Sequence, residues 1–309
     1  ERPAKCRQER PAKCRQERPA KCRQERPAKC RQERPGELAR YALITGAGGG
    51  LGGAFALQAA RRGWHLILVD LPGTGLADMG LRLARAYKVE AQCLEMDLAD
   101  AKARERLCGW IRCNSINLAL LVNNAGTGSH AGFENSPLDR LAGIIDVNIK
   151  ATMALTHMLL PELRKQPGAA LINVASLAAF YPMPAMAVYA ASKSFILNFT
   201  LALWAELRGT GVSASALCPA GMVTNRDTAD QVKAQGFFGR ITTWQPENVA
   251  DVAIRQALRG RAVIIPGLVN RAIRRLGEAA PRRLVVSLIG RRWRGAERVL
   301  RASTERAPR

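Results

Sequence analysis

The chain has 309 residues, 48% of them hydrophobic, and a formal net charge of +22. That apolar content fits a folded globule rather than a disordered polymer, and no apolar run approaches the roughly 18 residues of a membrane span, so no transmembrane helix is expected. The charge allows non-specific attraction to polyanions or anionic membranes without specifying a partner, and no specific nucleic-acid binding is expected.

Residues 1–32 are four copies of the octapeptide ERPAKCRQ, which carry +8 of the net charge and leave +14 to the rest. The repeat offers no apolar face to stack into a solenoid, and proline at 3, 11, 19 and 27 breaks any helix through it. Residues 1–36 are therefore read as disordered. Their identity is better explained by a duplicated or over-extended reading frame than by function, the alternative being a basic arm for polyanions. Cys6, Cys14, Cys22 and Cys30 recur at a spacing that fits no zinc site, and no metal is expected. Cys93, Cys108, Cys113 and Cys218 read as reduced thiols. The N-terminus lacks the apolar stretch of a signal peptide, so a cytoplasmic location is expected.

From Tyr41 onward, short apolar runs alternate with helical segments: YALIT, HLILVD, VEAQCLEMD, LALLVNNAG, ALINVAS, VSASALCPAG and RAVIIPG. Runs of strand length separated by helix-length gaps predict a doubly wound α/β fold, a seven-stranded parallel sheet covered by helices on both faces. After Gly267 the chain becomes arginine-rich. Leu268, Ala272, Ile273 and Leu276 repeat at helical spacing, and Pro281 separates them from a second patch, Leu284–Ile289, followed by Trp293. A basic amphipathic pair of this kind could lie on an anionic membrane surface. The preferred reading is that these helices pack on the domain or on a sister subunit with the arginines solvated.

The first strand ends in Thr45-Gly46-Ala47-Gly48-Gly49-Gly50-Leu51-Gly52. A glycine turn between a strand and a helix lets backbone N–H groups approach a pyrophosphate at the helix N-terminus. It can also be no more than a tight connection. Asp70 ends the second strand, where a carboxylate accepts hydrogen bonds from ribose hydroxyls and repels a 2′-phosphate. With no Lys or Arg in the turn or directly after Asp70, NAD(H) is preferred over NADP(H). Ending a strand before Pro72-Gly73 is the plain alternative for Asp70. Further on, Tyr189-Ala-Ala-Ser-Lys193 places Tyr189 and Lys193 one helical turn apart. An ammonium so close is expected to lower the tyrosine pKa toward the range useful for proton transfer. Ser176, at the end of an apolar strand, falls where such sheets open their ligand crevice.

Taken together, TGAGGGLG, Asp70, Asp97-Leu98, Asn123-Asn124-Ala125-Gly126, Asn148, Ser176 and YAASK resemble the short-chain dehydrogenase/reductase family over about residues 38–267. The resemblance implies a Rossmann-like catalytic domain over 37–267 and a basic helical extension over 268–309. It also implies that Gly46, Gly50 and Gly52 line a pyrophosphate, that Asp70 binds the adenosine ribose, and that Asp97 and Leu98 border the adenine. Asn124, Ala125 and Gly126 would support the sheet beside the cofactor, with Thr45, Leu51 and Pro219 in the same site. Tyr189 would be the acid/base and Lys193 would hold the nicotinamide ribose. Ser176 would orient the substrate oxygen, and Asn148 would hold a water in a proton relay. The sequence departs from the family after the sixth strand, where Pro219-Ala220-Gly221 replaces Pro-Gly. Thr224 remains the expected cofactor contact.

The implied function is an NAD(H)-dependent alcohol dehydrogenase or carbonyl reductase acting on a small-molecule ketone or secondary alcohol. Phe180, Met183, Met186 and Met222 suggest an apolar substrate cavity. Helices near Leu141–Leu160 and Tyr189–Leu207 carry more apolar residues than one buried stripe needs, and in the family such helices pair subunits; a homodimer is expected, with a tetramer as the alternative. His65 and His157 read as structural, whereas His130 could face the substrate. Two other classes stay open: an idle dinucleotide-binding sensor or scaffold, and a protein that attaches to membranes or polyanions through its basic ends.

Overall fold

The computed structural model describes residues 39–128, 132–220, 222, 243–281 and 283–291. The N-terminal repeats, His130, Gly221, Thr224 and Trp293 lie outside them. Seven strands form one sheet: β1 (Tyr41–Thr45), β2 (His65–Asp70), β3 (Ala91–Glu95), β4 (Leu118–Asn123), β5 (Ala170–Val174), β6 (Ser213–Leu217) and β7 (Val263–Ile264). Their order is β3-β2-β1-β4-β5-β6-β7, and every neighbouring pair is parallel. The seven apolar runs of the sequence are these seven strands.

Side-chain alternation explains why the runs lack a polar period. Ala42, Ile44, Leu66, Leu68, Leu120 and Val122 point to one face and join a core with Phe55, Leu76 and Val249. These come from α1 (Gly50–Arg61), α2 (Leu76–Tyr87) and α7 (Pro246–Ala257). Leu43, Ile67, Val69 and Leu121 point to the other face, against Leu107, Leu155 and Leu203. Those belong to α3 (Ala101–Cys113), α5 (Thr152–Arg164) and α6 (Ala187–Glu206). A strand buried on both faces is apolar at most positions, and polar exceptions such as Asn123, Asn173 and Ser215 are buried with hydrogen-bond partners.

Two features position the site. Chain order reverses between β1 and β4, so the connections leaving these strands diverge and open a crevice at their carboxyl ends. The helix entering α5 is also irregular: α4 (Leu138–Ile145) runs into a π-helical turn, Asp146–Ala151, and then into α5. Such a wide turn shifts the register of the side chains that follow, and here it carries Asn148 inward, where it is buried.

Beyond β7 lie α8 (Leu268–Ala279) and a helical segment over 283–291. The apolar repeat of α8 does not face the domain. Asn270 is buried and Gly277 sits against the ring of Tyr181, whose hydroxyl donates to the carbonyls of Ile273 and Arg274 (both 3.0 Å). Leu268 and Leu276 are exposed. The polar, small-residue side is the one held because the Tyr181 ring needs the space beside Gly277, which a Cβ would fill.

Candidate functional site

A cleft of about 960 Å³ lies at the carboxyl end of β1, β2 and β4, and its walls include Gly46, Gly50, Leu51, Asp70, Asp97, Leu98, Asn124, Ala125 and Gly126. The glycine turn forms one wall. Gly46 has φ +63°, and a Cβ there would lie 2.9 Å from the Cα of Ala125, so this position requires glycine. Gly48 N–H donates to Asp70 Oδ2 at 2.6 Å, and Leu71 N–H donates to Oδ1 at 2.8 Å. Asp70 thus ties the turn to the end of β2. Gly49 caps α1 with no side-chain partner, and no acidic residue occupies the first turn, which leaves its leading N–H groups for an anion.

Gly52 is not on the wall. A Cβ there would run into the carbonyl of Gly46, so its glycine lets α1 sit against the turn rather than lining the cleft. Thr45 also stays behind the wall: its Oγ1 accepts from the N–H groups of Asn124 and Ala125 (both 3.0 Å). Asn124 Nδ2 donates to the carbonyls of Thr45 (3.0 Å) and Gly46 (2.9 Å). These four bonds hold the ends of β1 and β4 at the width where the crevice opens.

The tyrosine–lysine pair is packed against Gly126 and Gly128 at the end of this wall. A Cβ on Gly126 would stand 3.1 Å from Asn148 Oδ1 and 3.3 Å from Lys193 Nζ, and one on Gly128 would stand 3.1 Å from the Tyr189 ring. α6 begins at Ala187, so Tyr189 and Lys193 share a face, with Lys193 Nζ 5.7 Å from the tyrosine ring centre. Ser176 caps the short 3₁₀ turn Leu177–Phe180, its Oγ accepting from Ala178 N–H at 3.1 Å, and acts on the Tyr189 phenol from there. Pro219 lies beside it, its carbonyl accepting from Leu177 N–H at 2.9 Å.

The electrostatics differ from expectation at one point. Burial raises the Tyr189 pKa above its ordinary value, and the Ser176 hydrogen bond offsets only part of that. Burial pushes Lys193 down to about 8. The ammonium is directed at the Val174 carbonyl (2.8 Å). Proximity along the helix brings the two groups together, but burial sets the direction of both shifts.

Asn148 is likewise more engaged than a water holder needs to be. Its Oδ1 accepts from Thr127 N–H (2.9 Å), and its Nδ2 donates to the Thr127 carbonyl (3.0 Å) and to Ser192 Oγ (2.9 Å). Ser192 Oγ then donates to the Tyr189 carbonyl at 2.7 Å. This chain links the π-helical turn, the end of β4 and the start of α6. Ser192 was visible inside YAASK, yet without a role, because its partners come from distant parts of the chain. Gly48, Thr74 and Arg140 on the cleft wall were also missed; only Gly48 had a signal, its place in the glycine run.

A second, apolar pocket of about 600 Å³ includes Phe180, Met183, Ala187, Ala191 and Val285 among its lining residues. Met186 is buried in the domain instead, and Met222 packs against the core of the α1 face. His65 is structural, its Nδ1 accepting from Glu90 N–H at 2.8 Å.

Comparison with known proteins places this geometry in context. Over 182 residues the chain is 32% identical to a very-long-chain 3-oxoacyl-CoA reductase of Laccaria bicolor; the match takes in 57% of this chain and 53% of that protein, so the chain spans about half the length of that relative. Over 216 residues it is 33% identical to sulfoacetaldehyde reductase 2 of Chromohalobacter salexigens, covering 68% of this chain and 85% of the relative. A short-chain dehydrogenase/reductase from Burkholderia phymatum in complex with NAD superposes with a TM-score of 0.68 at 26% identity, over 78% of this chain and 93% of that one. A short-chain dehydrogenase from Sphingobium yanoikuyae in complex with NADPH does so with a TM-score of 0.63 at 26% identity, over 79% and 97%. Residues 40–235, more than half of the chain, match the family described as short chain dehydrogenase, and the chain belongs to that family.

Proposed function

We propose that the chain is an NAD(H)-dependent oxidoreductase that interconverts a hydrophobic ketone and its secondary alcohol, with Tyr189 as the acid/base. The observation that carries this reading is a juxtaposition: the cleft runs from the Asp70-bound glycine turn to Gly126, and Lys193 and Tyr189 are packed directly against Gly126 and Gly128. The cradle fits a dinucleotide because Gly46 and Gly48 leave no room for a side chain and the helix N-terminus is uncapped.

In this reading Gly46, Gly50 and Leu51 approach the pyrophosphate, and Asp70 accepts from the ribose hydroxyls, which favours NAD(H) over NADP(H). Asp97 and Leu98 border the adenine. The bound nicotinamide supplies or accepts the hydride. Lys193 holds the nicotinamide ribose, and Ser176 orients the substrate oxygen toward the Tyr189 hydroxyl. Its raised pKa keeps the phenol protonated at neutral pH, the form that donates to a carbonyl oxygen. Asn148 positions Thr127 and Ser192 around that centre. Phe180 and Met183 favour an apolar substrate. Residues 37–267 act as the catalytic domain and 268–309 as an appended basic extension. The protein works as a homodimer in the cytoplasm.

The test is oxidation of NADH and of NADPH by the full chain against a panel of ketones and 3-oxoacyl compounds, with Tyr189→Phe alongside. Turnover faster with NADH, lost about 10²-fold or more in the variant, is expected for removal of a general acid. Tight NADH binding without turnover on any substrate would sink the enzymatic reading and favour a dinucleotide sensor.

A further inference from the structure

Helix α8 is mounted backwards for a helix that merely completes a core. Helices at a domain surface normally turn their apolar stripe inward. Here the buried side carries Asn270 and Gly277, with Ile273 and Arg274 half-buried beside them. On the opposite side, Leu268 is 79% exposed, Leu276 is 72% exposed, and Val269 and Ala272 are exposed between them. At 100° per residue these four residues fall within about one quadrant of the helix, flanked on one side by Arg271 and Arg275.

The segment over 283–291 repeats the pattern. Val285, Val286 and Ile289 are half-buried, and the two valines line the apolar pocket above Phe180 and Met183. Leu284 and Leu288 remain exposed, and so do Arg283 and Arg291. Residues 268–309 hold twelve arginines against three glutamates. One of those glutamates, Glu278, is already paired with Arg274 at 2.9 Å. Exposed leucines bordered by an excess of arginine match a surface that is apolar within and negatively charged at its face.

We propose that α8 and the 283–291 segment form a docking face for an anionic lipid bilayer, with the leucines entering the headgroup–acyl boundary and the arginines meeting lipid phosphates and carboxylates. The chemistry favours this occupant over a second copy of the chain, because two copies of one face would bring like-charged arginines together. Among the described residues no helix is long and apolar enough to cross a membrane, so the contact is peripheral. The inference does not depend on the catalytic reading.

The experiment is flotation of the full chain with vesicles of phosphatidylcholine alone and of phosphatidylcholine containing phosphatidylserine. The same assay is run on the triple variant Leu268→Gln/Leu276→Gln/Leu288→Gln. These side chains are exposed, so the variant keeps the fold, which its thermal melt checks. Binding to the anionic vesicles is expected to exceed that to neutral ones at least tenfold and to fall at least tenfold in the triple variant. Sedimentation velocity of both proteins runs alongside. Absence of binding to either vesicle overturns the proposal. So does equal binding by the triple variant, which would assign the attraction to charge alone, the N-terminal repeats included. A drop in oligomer size in the variant without vesicle binding by the parent would give the face to a second copy, which also overturns it.

Discussion

Lys193 is the residue at which folding and chemistry oppose each other most directly. It is buried, its ammonium donates to the Val174 carbonyl, and its pKa falls from 10.5 to about 8. Below pH 8 both the folded and the unfolded chain carry the proton, and the fold bears the full desolvation cost, roughly 3 kcal/mol at 1.36 kcal/mol per pKa unit. Between about 8 and 10.5 the unfolded chain binds a proton that the folded one does not, so stability contributed by this site rises with pH. Relative to Lys193→Met, the unfolding free energy of the parent is expected to increase by about 2 kcal/mol from pH 7.5 to 9.5. Urea titrations of both proteins at the two pH values check this, and a pH-independent difference would contradict the buried-charge account. A site that tolerates such a cost has a use for the charge, and contact with the nicotinamide ribose is the use proposed here.

At the scale of elements, the glycines of α1 and α3 make a matched pair. Gly52 lies in the first turn of α1, and a Cβ there would collide with the Gly46 carbonyl. Gly109 lies inside α3 with nothing within 4 Å of where a Cβ would be. Alanine at an unobstructed helix position is favoured over glycine by about 0.5–1 kcal/mol, whereas overpacking against backbone costs about 1–3 kcal/mol. Gly109→Ala is therefore expected to raise the thermal midpoint, and Gly52→Ala to lower it and weaken NADH binding. Equal effects of the two substitutions would mean that α1 does not rest on the turn as tightly as the backbone indicates. The π-helical turn is a second element-level device. It turns Asn148 inward, and the bonds to Thr127 and Ser192 then transmit the position of one helix to the start of another.

For the whole molecule, apolar surface is also left exposed on α5 and α6, apart from the α8 face. Met153 and Phe195 are exposed, and Phe195 stacks on Phe199 with ring centres 5.8 Å apart. Phe199 is half-buried against the core, which leaves Phe195 as the exposed member, and the proposed homodimer would cover it by pairing the same face of two subunits. Phe195→Asp is expected to convert a dimer to a monomer in light scattering while leaving the circular dichroism spectrum unchanged. If the parent is itself monomeric at micromolar concentration, this part of the proposal fails. The α8 face is separate from α5 and α6 in sequence, so the proposed dimer would keep its two basic faces available to a bilayer.

Much of this organisation is set by the order of residues alone. The seven strands are legible because a parallel sheet covered on both sides demands apolar side chains at most successive positions, in runs of strand length separated by helix-length gaps. The glycine turn, Asp70, Ser176 and the tyrosine–lysine pair are legible because each depends on local spacing. Tertiary structure decided the rest, wherever a property is set by partners distant in sequence. Gly52 proved to be a packing contact because the Gly46 carbonyl lies over it. Asn148 proved to be a clamp because Thr127 and Ser192 converge on it. The Tyr189 pKa moved up rather than down because burial, which spacing cannot report, outweighs the lowering effect of Ser176. The apolar stripe of α8 faces outward because Tyr181, far away in the chain, fits only against the side that carries Gly277.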